Sequence, residues 1–106
     1  MESIKESYIS LEKKINDVIT DFYEQNPKSG FSKLDLVIEK ILLLINQIRQ
    51  ENENTYKENE RELNDLFQEI MAALGNKDVI LISDLLKYEL LNKFKVYISW
   101  CNYILR

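Results

Sequence analysis

Histidine is absent from this chain of 106 residues, and proline, glycine and cysteine are scarce at one, two and one. Each shortage removes a class of structure or chemistry. Without histidine the commonest neutral-pH general base and metal ligand is missing. No Glu-x-x-His pair exists, which excludes the usual di-iron carboxylate arrangement of helical bundles. Cys101 has no second cysteine to pair with, and its apolar surroundings offer nothing that lowers a thiol pKa. It reads as a small buried hydrophobe. So few prolines and glycines leave few turns, so frequent strand reversals are excluded and long helices are expected. No Gly-rich phosphate loop or dinucleotide fingerprint is present.

Positive charge is also short: the formal net charge is −4 and the pI is near 4.9. That balance carries no electrostatic footprint for nucleic acid. Lys87, Lys93 and Lys95 share one predicted helix but point in different directions around it. The start, "MESIKES", has no apolar core of signal-peptide type. The longest near-apolar run, "LVIEKILLLI", carries Glu39 and Lys40 and is too short to span a bilayer. The expectations are a single cytoplasmic domain over residues 1–106 that is not an enzyme, with no cofactor, no metal, no nucleic-acid partner and no direct membrane insertion.

What is present is amphipathic periodicity. From about Ser3 to Gln25, apolar residues recur at steps of three and four (Ile4, Tyr8, Leu11, Ile15, Val18, Ile19, Phe22), one stripe at helical period. Ser3 and Glu6 have the spacing of a capping box. "NPKSG" breaks the pattern at Pro27, with Gly30 serving the turn. A second segment opens at "FSKLDL", where Ser32 and Asp35 form a cap and Phe31 staples onto Leu36. Its stripe is Leu34, Val37, Ile38, Ile41, Leu44, Ile45 and Ile48. The polar run "RQENENTYKENE" then allows a bend near residues 50–54, with Asn54 or Thr55 starting a new helix, or one continuous helix over 32–74. The pattern resumes from Tyr56 through Leu63, Leu66, Phe67, Ile70, Met71 and Leu74.

"ALGNKDVILISDLLKYELL", residues 73–91, holds the next boundary. Gly75 follows Leu74 as a left-handed helix stop, and Asn76 or Asp78 caps a last helix over about 77–104. That helix is apolar round half its circumference and should be central to the core. Asp84, Tyr88, Asn92, Lys95, Ser99 and Asn102 form its polar strip. Leu85, Val96, Trp100 and Tyr103 lie toward one margin of its apolar face. Glu89 and Lys93 have the spacing of a helix-supporting ion pair, with Glu89 near the apolar margin.

Six residues are candidates for partner binding. Leu36 and Leu43 fall outside the second stripe, seven residues apart and aligned, where two exposed leucines point to a further contact. Asp84 and Tyr88 are neighbours on the polar strip; the plain reading is a solvated face, the functional one a recognition patch with a tyrosine at its centre. Lys77 stands at the mouth of the last helix, where capping is the plain reading, and Trp100 lies at the margin of its apolar face.

Within residues 73–100 the residues Ala73, Leu74, Asn76, Lys77, Asp78, Asp84, Leu85, Leu86, Tyr88, Glu89, Leu90 and Trp100 form a pattern. It resembles one found in uncharacterised small helical-bundle proteins of Gram-positive bacteria. In size and helical layout these look like the flagellar export chaperones, bundles that shield the apolar helix of a secreted subunit. The resemblance implies an interaction protein, linked to motility, and supplies no catalytic or cofactor residues.

The expected fold is all-α, an antiparallel up-and-down four-helix bundle; the alternative is a three-helix bundle with a long fused middle helix. Its core should contain Ile15, Phe22, Ile41, Ile45, Phe67, Ile70, Leu86, Leu90 and Tyr97. The expected function is non-catalytic protein binding of the chaperone or adaptor type. Alternatives are a structural homodimerising module and an immunity-like bundle acting at a membrane protein. The partner is therefore another protein or the chain itself.

Overall fold

Four amphipathic helices, each too one-sided to persist alone in water, are joined by connections of one to three residues and bury their stripes against each other. The computed structural model describes residues 3–104, and their side chains except those of Thr55 and residues 100–104. The expectations for Trp100, Cys101, Asn102 and Tyr103 lie outside the described side chains. Helix α1 is Ile4–Tyr23, α2 is Pro27–Glu51 and α3 is Glu53–Gly75. The last helix, residues 79–104, runs as α4 (Val79–Asp84), a π-helical segment (Leu85–Leu90) and α5 (Leu91–Ile104). There is no strand among the described residues. The last helix packs against α1 and α3, and α2 packs against the same two, which closes the four-helix bundle.

The core is one continuous cluster drawn from every helix. Leu11, Ile15, Ile41, Leu44, Ile70, Ile82 and Phe94 are fully enclosed, each such side chain contributing roughly 1.5–3 kcal/mol relative to exposure. Of the nine expected core residues, six are buried; Phe22, Ile45 and Phe67 are half-buried at its edge. Met71, expected on the third stripe, is exposed, and the small Ala73 takes a core place instead.

The reversal between α2 and α3 is confined to Asn52. Its extended backbone (φ −148°, ψ 83°) ends one helix while its carbonyl accepts from Tyr56 N–H at 3.0 Å to begin the next. A fused helix over this span would be about 70 Å long, whereas the longest dimension of the molecule is 44 Å. The three-helix alternative is thereby excluded, and the new helix starts before Asn54.

The first corner differs from expectation. Helix α2 begins at Pro27 rather than Ser32, because proline's fixed φ and missing N–H suit the first helical position. Ser32 therefore lies inside the helix and donates to the Ser29 carbonyl at 2.7 Å instead of capping. Phe31 packs on Phe22, ring centroids 5.2 Å apart, rather than on Leu36. Gly30 is buried within the helix, and the left-handed residue of the turn is Gln25, φ 59°. The second corner repeats this design. Gly75 is helical, and Lys77 takes the left-handed conformation at φ 54°. In both corners the paired bonds of a Schellman motif satisfy the last carbonyls: Asn26 N–H to Asp21 and Gln25 N–H to Phe22, then Asp78 N–H to Ala73 and Lys77 N–H to Leu74. Side chains complete the starts as expected, with Ser3 accepting from Glu6 N–H and Asp78 from Leu81 N–H, each at 3.1 Å.

Candidate partner-binding surfaces

Three surfaces hold the described candidate residues, and the fold brings only some of them together. On α2 the core takes Leu34, Val37, Ile41, Leu44 and Ile48, which turns Leu36 and Leu43 outward, 42% and 58% exposed. Leu42, about 100° round the helix from Leu43, is 52% exposed. The flank of this ridge toward α1 is tied down by Lys40, which donates to Ser10 Oγ at 3.0 Å.

The second surface follows the polar strip of the last helix. Tyr88 stands 65% exposed on a crest between two open polar grooves. One groove, about 460 Å3, runs against α1 and includes Tyr8, Glu12, Lys87 and Lys95. The other, about 390 Å3, runs against α3 and includes Glu62, Lys93 and Tyr97. The π-helical turn bears on both. Lys87, within that turn, lines the same groove as Lys95, and π-turns recur at functional sites. No periodicity in the sequence marks it. Lys87 Nζ sits 5.6 Å from the centre of the Tyr88 ring, a cation–π contact. The expected pair of Lys93 with Glu89 does not form: Lys93 faces α3 and binds Glu62 at 2.6 Å, leaving Glu89 exposed. That pairing holds the Glu62 carboxyl below its ordinary range. Behind it, Tyr97 is buried with its hydroxyl lacking a hydrogen-bond partner among the described residues, and burial, reinforced by the Glu62 charge, pushes it up to about 12.

The third surface is the end of the bundle where both Schellman corners lie. One depression, about 730 Å3, is lined by Pro27, Lys28, Phe31, Leu74, Lys77 and Val79. A second, about 250 Å3, shares Val79 and adds Phe22, Tyr23, Ile80, Ser83 and Asp84. Of the sequence candidates, Lys77 and Asp84 thus meet on this face. Phe31, Val79 and Lys28 were not singled out, because they come from corners about half the chain apart and have no spacing that links them. Tyr23 and Ile80 carried the one available signal: both are large, apolar and displaced from their helices' buried faces, and both are mostly exposed.

No cluster of three or more metal-ligating side chains occurs among the described residues. No helix among them is long and apolar enough to cross a membrane. The chain belongs to the family described as Domain of unknown function (DUF8042), whose model matches residues 1–99. No curated protein and no solved structure matches it.

Proposed function

We propose that this member of the DUF8042 family is a non-catalytic protein-binding bundle of the chaperone or adaptor type, working in the cytoplasm. The observation that carries the reading is the leucine ridge. The core is already closed by five other residues of α2, yet Leu36 and Leu43 stand in solvent beside Leu42. Isolated exposed leucines are ordinary; three within two turns of one helix are a contact surface awaiting a partner. A groove-binding or helix-pairing partner would cover them. Placing a photo-crosslinking residue at position 36 or 43 in cells tests this: a specific partner cross-linked from both positions supports it, and a product from neither overturns it.

A second reading rests on the seven-residue spacing of Leu36 and Leu43, which is that of a coiled-coil seam between two copies of α2. Light scattering over a wide concentration range separates the two. A dimer that Leu36→Glu with Leu43→Glu converts to a folded monomer assigns the ridge to self-association.

A further inference from the structure

The end face differs from the leucine ridge in being concave and in its charge. The floor of its larger depression is apolar (Pro27, Phe31, Leu74 and Val79), and its volume of about 730 Å3 is within the range of ligand sites. The only charged residues that line it are Lys28 and Lys77; no carboxylate lines it. Both lysines are exposed, and neither has an ion-pair partner among the described residues. Two cationic residues and no anionic one thus border an apolar hollow in a chain of net charge −4. Asp84 lies on the adjoining depression, so the charge of the face changes sign from one side of Val79 to the other.

Lys77 also occupies a left-handed position, φ 54°. A residue with a Cβ is disfavoured there, and glycine would avoid the clash. Lys77 thus stands at the edge of the hollow, at the left-handed position of its Schellman corner.

Resting on the protein-binding reading, we infer that this end face docks a protein segment whose large apolar side chains are flanked by aspartate or glutamate. The apolar floor alone would accept any hydrophobic segment. The lysines discriminate: acidic flanks pair with Lys28 and Lys77, whereas basic flanks meet like charge as the site loses water. Val79, shared by both depressions, gives room for two anchors, with the acidic flank over the lysines and the other end toward Asp84.

The test is selection of a random-peptide display library on the immobilised full chain and on the double variant Lys28→Glu, Lys77→Glu. Both positions are exposed, and the variant's fold is checked first by circular dichroism. The expected result is enrichment of peptides combining bulky apolar residues with net negative charge. Resynthesised, they should bind the variant at least tenfold more weakly and shift amide resonances over residues 27–31 and 74–80. On the variant, enriched peptides should turn basic. Enrichment without acidic bias, an acidic bias that survives the double variant, or shifts confined to the leucine ridge would each overturn the end-face assignment while leaving a protein-binding role standing. No enrichment overturns it too; only the additional failure of cross-linking from positions 36 and 43 would remove that role. A dimer dispersed by the same double variant would identify the occupant as a second copy and overturn the acidic-segment assignment.

Discussion

The ring of Phe22 occupies the space that a side chain on Gly30 would need: a Cβ built there would fall against two of its ring carbons. This contact, not a left-handed turn, is why glycine stands at position 30, and it sets how closely α1 and α2 approach at the first corner. Alanine in a helix gains roughly 1 kcal/mol over glycine, but overpacking a filled site costs typically 1–3 kcal/mol. The overlap is with ring atoms that are themselves held by Phe31, so the cost wins. Gly30→Ala should destabilise the fold by up to about 2 kcal/mol net. Gly75→Ala is the contrast: the residue is helical and a Cβ there meets nothing within 4 Å. It should stabilise by up to about 1 kcal/mol. Urea melts of the two variants check both signs.

Lys77→Gly should relieve the left-handed strain, φ 54°. Glycine's greater freedom in the unfolded chain offsets part of the gain, leaving about 0.5–1 kcal/mol of added stability. The same change removes one of the two end-face cations. A thermal melt that rises while affinity for acidic peptides falls would show stability set against binding at one residue.

Tyr97→Phe removes a buried hydroxyl that has no partner among the described residues. An unsatisfied group of this kind costs roughly 1–3 kcal/mol, so the variant should be about 1 kcal/mol more stable at neutral pH. The folded phenol is raised to about 12, above the unfolded value near 10. The folded state therefore keeps its proton where the unfolded state has lost it. Stability from this source is whole below about pH 10 and declines as pH rises toward about 12. Denaturation of the variant over that interval should be less steep in pH than that of the parent.

Asp21 closes the first corner by accepting from Ser29 Oγ and pairing with Lys33, each at 2.8 Å. The Lys33 and Ser29 bonds hold its carboxyl below the ordinary range, and the Asp21 bond holds Lys33 above its own. Since the folded carboxyl is the stronger acid, its contribution is present above the ordinary value near 4 and lost as pH falls through the folded value. The Lys33 contribution runs the other way, present below the ordinary lysine value and lost as pH rises through the raised one. Asp21→Asn should therefore flatten the acid limb of the pH–stability curve. An acid limb identical to the parent's would assign that limb to other carboxylates.

The helices were legible because each is long and carries one apolar stripe. A stripe such as Leu34, Val37, Ile41, Leu44 and Ile48 has few other ways to leave water. Asn52 fell within the expected bend, and Leu36 and Leu43 were rightly assigned to the outside, by the same angular arithmetic. The corners were read less well. Local rules favoured glycine for the left-handed positions, and Gln25 and Lys77 hold them instead, while Gly30 answers to a ring on the preceding helix. Local sequence carries no notice of such a neighbour.

By itself, then, the chain's periodicity and its shortage of turn residues determined an all-α bundle and most of its core, since these follow from short-range spacing, and left four helices or a fused three to be decided by the reversal at Asn52. Tertiary structure alone decided that Lys93 pairs with Glu62 rather than Glu89, and that a π-turn lies beneath Tyr88. It also decided that Lys28 and Lys77 overlook one hollow. Each depends on which helices become neighbours and at what height, and that is settled by the packing of all four at once.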